Sequence, residues 1–246
     1  LRTAMKVSLF ITCLSDAIYP RVGEAMLRIL AKYGVRLDFP TVQTCCGQPA
    51  FNSGYWDAAR ESARTIMEAF EDSDFVISPS GSCTGMIHHY PKLFENDPVM
   101  RAKAEALQAK SYEFTQFLVG VLGVTDVGAS FPHKVTYHPS CHGSRLLGIK
   151  DEPMALMQNV KGLEFVPLPF AEDCCGFGGT FAVKMADISG AMVSEKVDHV
   201  KETEAEVLVG LDLACLMNIA GNLRYRGESV RVMHLAELLA EGAKLA

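Results

Sequence analysis

Short apolar runs alternate with amphipathic stretches along the whole chain. Lys6–Ile11 (KVSLFI) is a β-branched and aromatic run that predicts a buried strand, with Cys13 just past its end. Arg21–Tyr33 sets Val22, Ala25, Met26, Ile29 and Leu30 on one face at helical spacing, and Gly34 marks a stop. Val35–Phe39 predicts a second strand, Tyr55–Phe70 a second helix and Asp74–Ser78 a third strand, after which Pro79-Ser80-Gly81-Ser82 leads to Cys83. Asn96–Val124 predicts a helical excursion, with helices over Met100–Gln108 and Glu113–Leu122. The alternation then starts again. Lys134–His138, Leu163–Leu168 and Glu206–Leu211 predict strands, while Glu152–Asn159, Asp187–Glu202, Cys215–Leu223 and His234–Ala240 predict helices.

Strands separated by helices imply right-handed crossovers, hence an α/β protein of two tandem Rossmann-like repeats, each a mainly parallel sheet flanked by helices. Gly120, Gly123 and Gly128 punctuate the join near 125–132, dividing the 246 residues into 1–128 and 129–246. Hydrophobic residues at 49% are enough for a substantial core, and 23 basic against 29 acidic residues leave a net charge of −6. That balance excludes a nucleic-acid binder working through concentrated positive charge. The longest apolar stretches, Phe114–Val124 and Val207–Ile219, are interrupted by Gln116 and Asp212 and fall short of the roughly 18 residues that cross a bilayer. The residues ahead of the first strand lack the basic segment, apolar run and cleavage site of an export signal, so none is expected. Met5-Lys6 reads as the native start, Leu1–Ala4 as an upstream remnant, and the cytoplasm as the expected address. There a cysteine framework binds metal or reacts more often than it forms disulfides.

All eight cysteines fall into one pattern written twice: Cys13, Cys45-Cys46-Gly47 and Cys83, then Cys141, Cys174-Cys175-Gly176 and Cys215. Cys141 follows Cys13 by 128 residues, Cys174 follows Cys45 by 129 and Cys215 follows Cys83 by 132, so the chain carries an internal duplication. In a parallel sheet the strands end on one edge, about 4.8 Å apart, and neighbouring loops gather their side chains there. Each quartet is therefore expected to close around one small object. Consecutive side chains of an extended chain point to opposite faces, so both members of a Cys-Cys pair face one site only if the backbone turns. Gly47 and Gly176 supply that turn through positive φ. Gly176-Phe177-Gly178-Gly179 lacks the strand-to-helix context of a dinucleotide fingerprint. The residues alone leave three uses open: metal binding, a reducible vicinal disulfide, or packing as small apolar groups.

The segments Gly81-Ser82-Cys83-Thr84-Gly85-Met86, His138-Pro139-Ser140-Cys141-His142 and Asp173-Cys174-Cys175-Gly176-Phe177-Gly178-Gly179 resemble the cysteine-rich CCG-domain family. That family includes a cysteine-rich component of heterodisulfide reductase and the iron–sulfur subunits of glycolate oxidase and anaerobic glycerol-3-phosphate dehydrogenase. Within it the chain is similar to the lactate utilisation protein A group over Met5–Gly242. The resemblance implies up to two [4Fe–4S] clusters, one on Cys13, Cys45, Cys46 and Cys83, the other on Cys141, Cys174, Cys175 and Cys215. It also implies an electron-transfer subunit of a lactate (2-hydroxy acid) oxidation complex, with a ferredoxin-like iron–sulfur partner subunit and a third subunit, and no catalytic residue in this chain. The fullest family motif ends Cys-x-x-Cys, whereas Met86 and Asn218 stand at those places here. Four thiols per repeat suit an ordinary four-iron cluster better than the five-cysteine cluster behind disulfide cleavage. They equally suit tetrahedral zinc, which would make the chain a structural or assembly module.

Neighbouring residues complete the expectation. Backbone N–H groups at Gly47 and Gly176 are placed to approach cluster sulfurs. His142 is a candidate to ligate or to hydrogen-bond a sulfur, and Arg145 to offset nearby negative charge. His138 is expected to satisfy local backbone groups, and His88 and His89 to be surface or packing residues.

Overall fold

The computed structural model describes residues 5–245; Leu1–Ala4, the expected upstream remnant, lie outside the described residues. Val7–Leu9 is buried at every position, as in a strand covered on both faces, and forms β1. The chain continues through α1 (Cys13–Ile18) and α2 (Pro20–Lys32), where Pro20 begins the helix and Val22, Met26, Ile29 and Leu30 lie in its buried stripe. Next come β2 (Leu37–Asp38), α3 (Gln48–Asn52), α4 (Trp56–Ala69), β3 (Phe75–Ser78), α5 (Gly81–Leu93), α6 (Pro98–Ala109) and β4 (Ser111–Glu113). α7 (Phe114–Gln116) runs on into a wider π-type turn over Phe117–Val121. The sheet order is β2-β1-β3-β4, parallel throughout.

The second half repeats this plan with β5 (Lys134–His138), a π-type turn at His142–Leu146, α8 (Asp151–Gln158), β6 (Glu164–Phe165), α9 (Phe181–Lys184) and α10 (Ala186–Glu202). β7 (Val207–Gly210), α11 (Leu213–Tyr225), β8 (Arg231–His234) and α12 (Leu235–Gly242) complete it. Its sheet order, β6-β5-β7-β8, is the same and again all parallel. Two parallel sheets flanked by helices are thus the architecture that the alternation predicts.

The fourth strand of each sheet departs from the sequence reading. Ser111–Glu113 lies inside the segment read as helical and pairs with β3, and Arg231–His234 pairs with β7 ahead of a final helix that begins at Leu235. Both are three- or four-residue edge strands with polar ends, too short to show a period, and their partner strands define them. The other edge strands, β2 and β6, are shorter than read, with only two paired residues each.

The halves are closed by exchange. α12 packs on α2 of the first half, while α7 and its π-type turn pack on α8 of the second. One apolar cluster therefore runs through both halves, from Val7, Met26 and Leu30 to Val135, Val209, Leu235 and Leu239. A smaller cluster covers the far face of each sheet, around Phe10, Ile66, Phe70 and Tyr90 in one half and Val197, Leu208 and Ile219 in the other. At the carboxyl edges the sheets meet, with Ser80 and Asp212 bridged and the Gly81 N–H donating to the Leu211 carbonyl at 3.3 Å. Among the described residues no helix is long and apolar enough to cross a membrane.

Candidate metal centre

Each quartet is assembled by the same three places in the fold. Cys13 opens α1 past β1, Cys45-Cys46 lie in the loop after β2, and Cys83 sits in the first turn of α5. Cys13 Sγ is 3.8 Å from Cys45 Sγ, and Cys46 Sγ is 3.5 Å from Cys83 Sγ. In the second half Cys141 follows β5, Cys174-Cys175 follow β6 and Cys215 occupies the first turn of α11. All eight thiols are free, and all eight line one cavity of ≈ 130 Å³ where the carboxyl edges of the two sheets meet.

The glycine after each pair is required by shape. Gly47 has φ +84° and Gly176 φ +81°, backbone that other residues rarely adopt. A Cβ at Gly176 would lie 2.7 Å from the Ser189 carbonyl oxygen, and one at Gly47 3.2 Å from that of Ala59. The Gly176 N–H also donates to Cys174 Sγ at 3.4 Å. The turn buries the second cysteine of each pair, Cys46 and Cys175 being 3% exposed, while Cys45 is half-buried and Cys174, like Cys13 past β1, is open to solvent. Each buried cysteine is then held by its carbonyl. Tyr90 Oη donates to the Cys46 carbonyl and Asn218 Nδ2 to the Cys175 carbonyl, both at 2.8 Å. Asn218 thus anchors the backbone where the fullest motif has a cysteine, and Met86 at the matching place is fully buried in the first half's outer cluster.

Proton sharing shows how crowded the sulfurs are. Hydrogen bonds from the Cys13 and Cys46 thiols hold Cys45 down at about 2, while the same bonds and burial push Cys13 and Cys46 up. In the second quartet hydrogen bonds from Cys141 and Cys175 hold Cys174 at about 2, and Cys141 and Cys175 are pushed up. Sulfurs this close cannot all ionise together unless a cation lies among them. The donor set fits a thiophilic metal or cluster. Two helix N-termini add to the fit. Ser80 Oγ accepts the Cys83 N–H at 3.2 Å, and Asp212 Oδ1 accepts the Ala214 N–H at 3.1 Å, so α5 and α11 bring their positive ends to the cavity wall.

The flanking residues divide. His142 lines the cavity, and its Nε2 lies 3.0 Å from Gln48 Nε2, which ties the two halves. Arg145 donates to the Glu172 carbonyl at 2.8 Å, fixing the loop that leads to Cys174, and its charge favours the Cys141 thiolate. His138 does not satisfy backbone groups as the sequence reading expected. It is fully buried, and both ring nitrogens lack a partner. A nitrogen of His138 and the Sγ atoms of Cys175 and Cys215 all lie within 4.8 Å of one another. β5 is buried at four of its five positions, so the strand's pattern does not set His138 apart from its neighbours. His88 packs through a contact between its Nε2 and the Ser111 carbonyl oxygen at 3.2 Å, and His89 stacks on Phe51. Asp212, Ser80, Tyr90 and Lys196, which the sequence reading did not single out for the site, also shape it. Apart from the helix caps that Ser80 gives Cys83 and Asp212 gives Ala214, their partners are distant in sequence.

The CCG cysteine-rich domain family matches the chain twice, over residues 7–88 and 135–220. Lactate utilization protein A from Oceanobacillus iheyensis is 56% identical over 235 residues, covering 96% of each chain. Its counterpart from Geobacillus kaustophilus is also 56% identical, covering 96% of this chain and 98% of its own, and one from Exiguobacterium sp. is 54% identical over 242 residues. Among solved structures, a hypothetical protein from Helicobacter pylori superposes with a TM-score of 0.68 at 10% identity, covering 98% of this chain and 49% of that one, a likeness of fold alone. With both halves matched and more than half of all positions shared with these relatives along nearly its full length, the chain belongs to the CCG cysteine-rich domain family, together with the lactate utilization A proteins.

Proposed function

We propose that the protein is an iron–sulfur electron-transfer subunit of a system that oxidises lactate or a related 2-hydroxy acid. Cys13, Cys45, Cys46 and Cys83 would hold one [4Fe–4S] cluster, and Cys141, Cys174, Cys175 and Cys215 a second; such clusters supply one-electron transfer. The single observation that carries this reading is two matching thiol quartets lining one cavity. Conversion of lactate to pyruvate releases two electrons and two protons, so a pair of adjoining one-electron sites matches its stoichiometry. The chain's own groups do the rest. Gly176 N–H and the α5 and α11 N-termini offset anionic charge, and the buried Cys46 and Cys175 keep water from the inner sulfurs. Removal of hydrogen from the substrate falls to partner subunits, of which a ferredoxin-like iron–sulfur protein is one. The names of the relatives support the lactate assignment.

The His138–Cys175–Cys215 group favours a second reading for one site, because mixed imidazole and thiolate donors suit zinc. Iron, acid-labile sulfide and zinc analysis of anaerobically purified protein decides between the two. About eight irons with matching sulfide per chain is the expected result; about two zincs without sulfide would replace the electron carrier by a structural module.

A further inference from the structure

The two quartets match in sulfur but not in what surrounds it. Gly47 faces Ala59 and Ser62 of α4, and Gly176 faces Ser189 and Met192 of α10, positions 130 residues apart in each case. By the same offset Lys196 stands where the first repeat has Ile66. Strand register gives the second difference: β1 and β5 align Val7 with Val135, each paired to the third strand of its sheet, so His138 stands where the first repeat has Phe10. Ile66 and Phe10 are fully buried and apolar. Lys196 is 1% exposed, and its Nζ donates to the carbonyls of Phe170 at 2.6 Å and Ala171 at 3.4 Å, in the loop just before Cys174. Phe170 takes φ +47° there, a strained backbone for a bulky residue, within the turn that presents its carbonyl to the ammonium.

We propose that Lys196 and His138 make the second quartet the more readily reduced of the two sites, so that electrons pass from the first to the second. The inference rests on the electron-carrier reading above. A buried ammonium beside an anionic site favours its more negative, reduced form, and burial keeps salt and water from screening that preference. His138 acts in the same direction by either route open to it. As an N–H donor to Cys175 or Cys215 sulfur it offsets added charge, and as a nitrogen ligand in place of a thiolate it removes a negative charge outright. The first quartet has neither group. An electron brought by a reduced one-electron protein to the first site therefore moves on: the first site is oxidised by one electron as the second is reduced by one. The second then hands it to an oxidised one-electron acceptor.

The test is a mediated potentiometric titration of the anaerobically purified full chain, followed by electron paramagnetic resonance, with iron content measured on each sample. Two reduction steps are expected. Lys196→Met lowers the upper step and leaves the lower in place, and Lys196→Arg restores it. His138→Phe, which copies the residue already present in the first repeat, lowers the same step independently. One common midpoint for both sites, or variants that move only the lower step or neither, would overturn the inference while leaving the electron carrier intact. Protein without iron or sulfide would instead sink the carrier reading itself.

Discussion

Asp212 Oδ2 accepts the Ser82 backbone N–H at 2.7 Å, across 130 residues and from one repeat to the other. The same oxygen accepts Ser80 Oγ at 3.1 Å, and Oδ1 caps α11 through Ala214. One buried carboxylate thus fixes the starts of both helices that carry the last cysteine of a quartet. Asp212→Ala is expected to cost about 2–3 kcal/mol, a lost cap plus unpaired buried donors, and to lower metal retention at both sites. Asp212→Asn, which keeps one oxygen, should cost about half as much. Urea unfolding with iron analysis on the same samples checks both.

Tyr90 is buried against the first quartet, and its hydroxyl is the side-chain partner of the Cys46 carbonyl. Tyr90→Phe keeps the ring and strands that carbonyl. The expected loss is about 1–2 kcal/mol, with metal released first from the site built on Cys13, Cys45, Cys46 and Cys83. Chelator-competition kinetics would show whether the loss is confined to that site.

Glu113 ends β4 and caps α7 with Oε2 on Thr115, while Oε1 is buried without a partner. Burial raises its carboxyl from 4.5 to about 8, outweighing the hydrogen bonds from Thr115. Between those values the unfolded chain ionises and the folded one does not. Stability should therefore fall as pH rises from about 4.5 to 8, by up to about 1.4 kcal/mol per unit. Glu113→Gln should flatten that slope in urea midpoints taken at pH 5, 6.5 and 8.

His234 occupies the corresponding place in the second repeat, and its dependence has the opposite sense. Nδ1 accepts the Ala236 N–H at 3.1 Å, and Nε2 donates to the Pro79 carbonyl at 3.0 Å. The Nδ1 bond needs the neutral ring, and burial, outweighing the Pro79 bond that favours protonation, lowers its value to about 4. The stabilisation is complete above pH 6.5, where the unfolded imidazole is neutral too, and is lost as pH falls toward 4. His234→Asn keeps a capping oxygen without titrating. It should remove this acid sensitivity from melting temperatures measured between pH 4.5 and 7.

The duplication and its cysteines were legible because they are properties of spacing, which Cys13, Cys45 and Cys83 carry into Cys141, Cys174 and Cys215 unchanged in order. Strands buried on both faces, such as Val207–Gly210, declare themselves by composition. Ser111–Glu113 and Arg231–His234 do not, since a three-residue edge takes its identity from the strand beside it. Lys196 was hidden in another way: on an amphipathic helix a lysine reads as solvent-facing. Only the fold, by superimposing α10 on α4, sets it against Ile66. His138 carried a visible clue in standing so near Cys141, but its lack of partners is a fact of three dimensions.

The crossed placement of α12 on α2 and of α7 on α8 bears on ancestry. A lone half would leave the apolar faces of its first long helix and its last helix bare, so a one-repeat forebear would have had to associate with its own twin. Twins must be alike at every position. Joining them in one polypeptide freed the two sides to diverge, and a lysine at 196 in the place that isoleucine holds at 66 is something no pair of identical chains can possess.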